Sequence, residues 1–134
     1  MNGLHLCAEW HDCEGERALA LLRDPDGLRQ ASLAATRAAG LTVVGDLFHA
    51  FPAPGGVTGV VLLAESHLAL HTWPELAGVT LDVYVCNRSG DHSRQARQLL
   101  DTLRLLLRPV RAEEREIMRG ALGPQPAAPP AIPA

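Results

Sequence analysis

The stretch AESHLALHTWPE, Ala64 to Glu75, carries a serine, two histidines, a tryptophan and two carboxylates. Its alternating leucines, Thr72, Trp73 and the closing Pro74 read as a β-strand, and a strand that only fills a core rarely carries so many polar groups. His67 and His71 stand four apart. On a helix that spacing would chelate one ion, but on a strand it spans about 13 Å, too far for two ligands of one zinc. No metal is therefore expected. Ser66 is a poor hydrolase nucleophile, since it lacks a G-x-S-x-G elbow and bulky Glu65 precedes it. Taken alone, it reads rather as a hydroxyl satisfied at a strand start.

A different nucleophilic event suits Ser66 better. A serine hydroxyl can attack the carbonyl carbon of the peptide bond before it, turning the amide into an ester. β-Elimination of that ester cuts the chain and leaves a dehydroalanine, which hydrolyses to a pyruvoyl group at the new terminus. Such a ketone can form a Schiff base with a substrate amine and take up electrons as carbon dioxide leaves. All twelve basic side chains are arginine and none is lysine. That excludes a pyridoxal-phosphate imine, a class I aldolase and a Walker-A lysine together, because each needs a lysine amine. Cys86 could serve as a proton donor, since an ordinary thiol is mostly protonated at neutral pH. Its plainer reading is a small buried hydrophobe.

These residues need a scaffold. GLHLCAEWHDC alternates as a strand, and DPDGLRQASLAATRAAGL follows as a helix with Asp26 as N-cap and Gly40 as stop. Leu28, Ala31, Ala35 and Ala38 fall on one face of it. TVVGDLFHAF, VTGVVLLAE, SHLALHTW and VTLDVYVC are four more strands, with PAPGG and PELAG as connections. DHSRQARQLLDTLRLLL is a second helix, with Leu99, Leu103 and Leu106 spaced for one buried face. PVRAEEREIMRG adds an edge strand. Consecutive strands with short turns predict an antiparallel sheet with two helices packed on one face, an α+β two-layer sandwich. Residues 1–120 form one domain, and the Pro/Ala-rich tail 121–134 is expected to be disordered.

The chain has 134 residues, is 47% hydrophobic and carries a net charge of −3. This balance gives no electrostatic reason to expect nucleic acid or an anionic membrane as partner, and no apolar run is long enough to span a bilayer. The opening residues lack the basic and apolar regions of a signal peptide. Three cysteines without a C-x-x-C pair fit a reducing cytoplasm.

The run GVTGVVLLAESHLALHTWPE followed by LDVYVC resembles the short bacterial and archaeal S-adenosylmethionine decarboxylases, pyruvoyl enzymes made by self-cleavage. GLHLCAEWHDC and FHAF resemble that family's upstream segments, so the likeness runs from about residue 3 to residue 86. The resemblance implies cleavage of the Glu65–Ser66 bond into chains 1–65 and 66–134, the second headed by a pyruvoyl group made from Ser66. It implies that His71 serves in processing and that Cys86 protonates the carbanion left by decarboxylation. Phe51 and Trp73 match aromatic positions near the family's active site, where rings can stack on adenine and sulfonium; each could also be core filler. Glu9 and Glu75 could hold charged groups of an amino-acid-type substrate or simply solvate strand ends. Homodimers of cleaved protomers are the implied assembly, and the product is the aminopropyl donor for spermidine synthesis.

This chain departs from the family pattern at several points. Thr58 replaces the usual serine that supports processing, PAPGG is one residue longer, PELAG lacks an aromatic, and CNRSG replaces Cys-Gly. These changes border the substrate pocket, so arginine or ornithine is the alternative substrate. A binding homologue without catalysis is a third reading, against which the joint presence of Glu65, Ser66, His71 and Cys86 speaks. His5 and His49 are expected to be structural hydrogen-bonders, and His11 and His92 to lie at the surface.

Overall fold

The structure is a computed structural model that describes residues 2–120, 122 and 123. Six strands form one antiparallel sheet: β1 (Gly3–Cys13), β2 (Val43–Ala50), β3 (Val57–Leu63), β4 (Ser66–Trp73), β5 (Gly78–Cys86) and β6 (Pro109–Arg119). Their order across the sheet is β2-β3-β4-β5-β1-β6. Helices α2 (Pro25–Ala38) and α3 (Ser93–Leu107) are the two expected ones. A short helix, α1 (Glu16–Leu21), was not legible, and PELAG contains a 3-10 turn over Pro74–Leu76. Except for Leu122 and Gly123, the expected tail lies outside the described residues.

Alternation builds two unlike faces. Leu4, Leu6, Ala8 and Trp10 of β1, Val57 and Val61 of β3, Leu68 and Leu70 of β4, and Val79, Leu81, Val83 and Val85 of β5 are all buried under the helices. From α3 they meet Ala96, Leu99, Leu100, Leu103 and Leu107; Leu106 is only partly buried. The intervening residues point to the other face, which no helix covers among the described residues. Leu47, Leu62 and Ile117 are 70%, 50% and 46% exposed on it, the first two on neighbouring strands and Ile117 on the opposite edge strand.

Helix α2 departs from expectation in two details. Asp24 caps it, its carboxylate accepting from the Gly27 amide at 3.0 Å, because Pro25 supplies the first helical residue. Its buried face carries Leu28, Ser32, Leu33, Ala35 and Thr36, while Ala38 is exposed. Thr36 can be buried because its hydroxyl donates to the Ser32 carbonyl at 2.7 Å.

The edge strand β6 is tied to α3 by side chains. Arg104 donates twice to Glu114, at 2.7 and 2.8 Å, and the Trp10 indole donates to the same carboxylate at 3.1 Å. Those hydrogen bonds, Arg104 first, hold the Glu114 carboxyl below the usual range against the opposing effect of burial.

Candidate active site

Strands β3 and β4 join through a two-residue turn, Ala64–Glu65, closed by the Leu63–Ser66 pair. Glu65 has φ 62°, a left-handed conformation that a turn of this kind normally gives to glycine. Holding a non-glycine residue there costs about 1–3 kcal/mol, and the strained residue carries the carbonyl that Ser66 would attack. The Ser66 hydroxyl accepts a hydrogen bond from the Cys86 amide at 3.1 Å. That contact fixes the oxygen while leaving its own proton free to be given up. Cys86 is 4% exposed and pairs across the sheet with Gly3. A cavity of about 350 Å³ opens beside the turn, lined by Thr42, Glu65, Ser66, Ser89 and His92 among others.

The other expected residues lie at the far end of the same strands. Thr58 and His71 face each other directly across β3 and β4, with Thr58 Oγ1 3.0 Å from His71 Nδ1. Phe51, 52% exposed, packs edge-on against His49. Trp73, 44% exposed, donates from its indole to the Thr80 hydroxyl at 3.2 Å. It borders a mainly apolar hollow of about 330 Å³ with Glu9, His11, Leu76 and Thr80. Glu75 is exposed in the 3-10 turn that follows.

Within one chain, therefore, Ser66 and His71 do not meet. Five residues of extended strand separate them by about 16 Å, and odd and even positions of β4 point to opposite faces. Glu65, Ser66 and Cys86 lie at one end of the sheet; Phe51, Thr58, His71, Trp73, Glu75 and Glu9 lie at the other, spread across it from Phe51 beside β2 to Glu9 on β1, four strands away.

Sequence reasoning passed over a third cluster. On the uncovered face Asp82 Oδ2 lies 2.6 Å from His67 Nε2 and 3.0 Å from His5 Nε2, and Arg119 lies 3.2 Å from His5 Nδ1. Tyr84 stands directly opposite both His5 and His67, its ring centroid 5.9 Å from each. Cys7 pairs with Asp82 on the same face, and its thiol is pushed up by burial and then by that carboxylate. The signal available in sequence was the D-V-Y-V-C spacing, which places Asp82 four before Cys86 and so on the same face of β5. His11 and His92, expected at the surface, are both partly buried. The Nε2 of His11 and the Nδ1 of His92 have no hydrogen-bond partner among the described residues.

Fold and site together define an α+β two-layer protein with a serine at a strained hairpin tip, held next to a buried cysteine. The sequence profile of the S-adenosylmethionine decarboxylase family matches residues 4–120, and the chain belongs to that family. An S-adenosylmethionine decarboxylase proenzyme of Methanococcus maripaludis is 34% identical over 120 residues, covering 90% of this chain and 91% of that protein. One from Parasynechococcus marenigrum is 40% identical over 119 residues, covering 87% of each. The crystal structure of the adenosylmethionine decarboxylase from Aquifex aeolicus superposes with a TM-score of 0.79 at 31% identity, covering 94% of this chain and 97% of that one. Among the described residues no helix is long and apolar enough to cross a membrane.

Proposed function

We propose that this chain cuts itself between Glu65 and Ser66 and then decarboxylates S-adenosylmethionine with the pyruvoyl group so made. The observation that carries this reading is the hairpin tip: the strained Glu65 carbonyl precedes a serine whose oxygen is oriented by the Cys86 amide. Ser66 Oγ adds to the Glu65 carbonyl carbon, the C–N bond breaks, and the amide becomes an ester. A base then removes the proton from the Ser66 Cα. The Cβ–O bond breaks, and that oxygen leaves as part of a new Glu65 carboxylate. The dehydroalanine left behind takes up water and loses ammonia, giving the ketone.

The residues present fit the group. Ser66 is its source, and the cavity beside the turn offers room for a substrate at the cut end. When formed, the pyruvoyl group supplies a carbonyl that can bond a substrate amine and accept the electrons of decarboxylation. Cys86 holds the proton that the product carbon needs. Phe51 and Trp73 each offer a ring that suits an adenine or a sulfonium better than a free guanidinium, and Glu9 borders the same hollow as Trp73 for the substrate's polar groups, with Glu75 in the turn that follows. The homologues' names support the same substrate.

The working unit is a homodimer. One chain holds the cutting serine and the processing histidine about 16 Å apart, and its second sheet face is uncovered and partly apolar. A second copy laid on that face about a two-fold axis perpendicular to the strands reverses their direction. This brings the Thr58–His71 end of one protomer over the Glu65–Ser66 end of the other.

Intact mass under denaturing conditions tests the proposal. Two fragments are expected, 1–65 and 66–134, the larger lacking a free amino terminus, while Ser66→Ala remains one inactive chain. A folded wild-type protein that stays uncut after long incubation refutes it.

A further inference from the structure

Processing strips residue 66 of two ties at once. Its peptide bond to Glu65 is broken, and its Oγ departs as an oxygen of the new Glu65 carboxylate. The 3.1 Å contact with the Cys86 amide then has no side-chain oxygen to accept it. The reactive carbonyl would sit on a free strand end, and free ends fray.

One residue further on, the strand is held from another direction. His67 meets Asp82 at 2.6 Å, the same carboxylate oxygen meets His5 at 3.0 Å, and Arg119 meets the other nitrogen of His5 at 3.2 Å. A guanidinium can only donate, so the Nδ1 of His5 accepts and its Nε2 carries the proton given to Asp82. The contacts run from β6 through β1 and β5 to β4, on the uncovered face and beside the Gly3–Cys86 rung. The processing and decarboxylation described above make no use of them.

We infer that Arg119, His5 and Asp82 form a clamp on His67, and that this clamp holds the cut end of β4 in place beside Cys86. The inference rests on cleavage at Glu65–Ser66. His67 and Asp82 are positioning residues, because they act on the neighbouring carbonyl through the backbone. The three donor atoms lie within 4.8 Å of one another, a spacing that would also suit a zinc ion. The Arg119 contact argues against that alternative. A cation on the Nε2 of His5 would move the ring proton to Nδ1, where it would face a guanidinium that has nothing to accept it.

The test places Asp82→Ala and, separately, His67→Gln in the wild-type chain and in the uncuttable Ser66→Ala chain. In the wild-type background both variants should complete cleavage by intact mass. Both should then lose about 10²-fold in kcat with KM nearly unchanged, the expected cost of displacing a reacting group by about 1 Å. Hydrogen exchange at Leu68–Leu70 should accelerate in the cut protein and stay unchanged in the Ser66→Ala background. If Asp82→Ala fails to fold, His67→Gln carries the same comparison. Equal loosening in both backgrounds, wild-type kcat, a stall before cleavage, or one tightly bound zinc per chain whose removal lowers turnover would each overturn the clamp. An uncut wild-type protein would instead refute the proposed function, so the two failures are distinguishable.

Discussion

If His71 acts on the hairpin of the other protomer, two inactive chains should repair each other. Ser66→Ala keeps His71 but has nothing to cut; His71→Ala keeps the scissile serine but lacks the base. Proton transfer needs its partners within about 3.2 Å, whereas strand β4 holds Ser66 and His71 about 16 Å apart. Action within one chain would have to melt most of β4, which is buried at Leu68 and Leu70. Neither variant alone should yield fragments. Co-expressed at equal levels with random pairing, about half of the His71→Ala chains sit opposite a Ser66→Ala chain, so about half should be cut. A fourfold excess of the Ser66→Ala chain raises that share to about four-fifths. Distinct mass tags on the two chains let intact mass spectrometry read which one is cleaved. A co-expressed dimer that forms but yields no fragments, or His71→Ala that cuts itself alone, would refute the reasoning.

Cys86→Ala should complete cleavage, because Ser66 takes only the backbone amide of this residue; its turnover should fall about 10²–10⁴-fold, the usual worth of a general acid, and clean product at the wild-type rate would show that the thiol only packs. Glu114→Gln should destabilise the fold by about 1–2 kcal/mol at neutral pH. The Glu114 carboxyl is held below its usual range in the folded state, so its contribution is present above the unfolded value and is lost as pH falls through the folded one. Melting curves of wild type and variant should therefore converge toward acid pH; curves that stay parallel from neutral to acid pH would show that Glu114 is not the linked group.

The sheet was legible because β1, β4 and β5 alternate strictly, one side apolar and the other carrying His5, Cys7, His67, Asp82 and Tyr84. Helix α1 escaped because six residues, ERALAL, are too few to show a helical period. The face of α2 is not legible from its apolar residues because its buried row includes Thr36, whose hydroxyl the helix satisfies, and Ser32, whose Oγ has no partner among the described residues. At the site, the residue types around Ser66 stand out in the sequence, and so does their spacing along β4. The strand arithmetic that parts His67 from His71 parts Ser66 from His71 as well. The Arg119–His5–Asp82–His67 contacts could not be seen, since they depend on the register of β6, β1, β5 and β4, with His5 and Asp82 77 residues apart in the chain.

The strand order has a consequence for how such a protein can come into being. Cleavage at residue 65 would leave β1, β2 and β3 on one fragment and β4, β5 and β6 on the other. In the sheet order β2-β3-β4-β5-β1-β6, the boundary between fragments then falls at β3/β4, β5/β1 and β1/β6. One fragment's strand is threaded between two of the other's. Fragments released before folding would have to find each other from solution, each exposing unpaired edges that invite aggregation. A chain that folds first has its halves at very high effective concentration, and once cut it comes apart only by unzipping all three seams together. Its persistence is then a matter of rate more than of equilibrium. Strain confined to a hairpin that exists only after β3 and β4 have paired would make the cut wait for the fold.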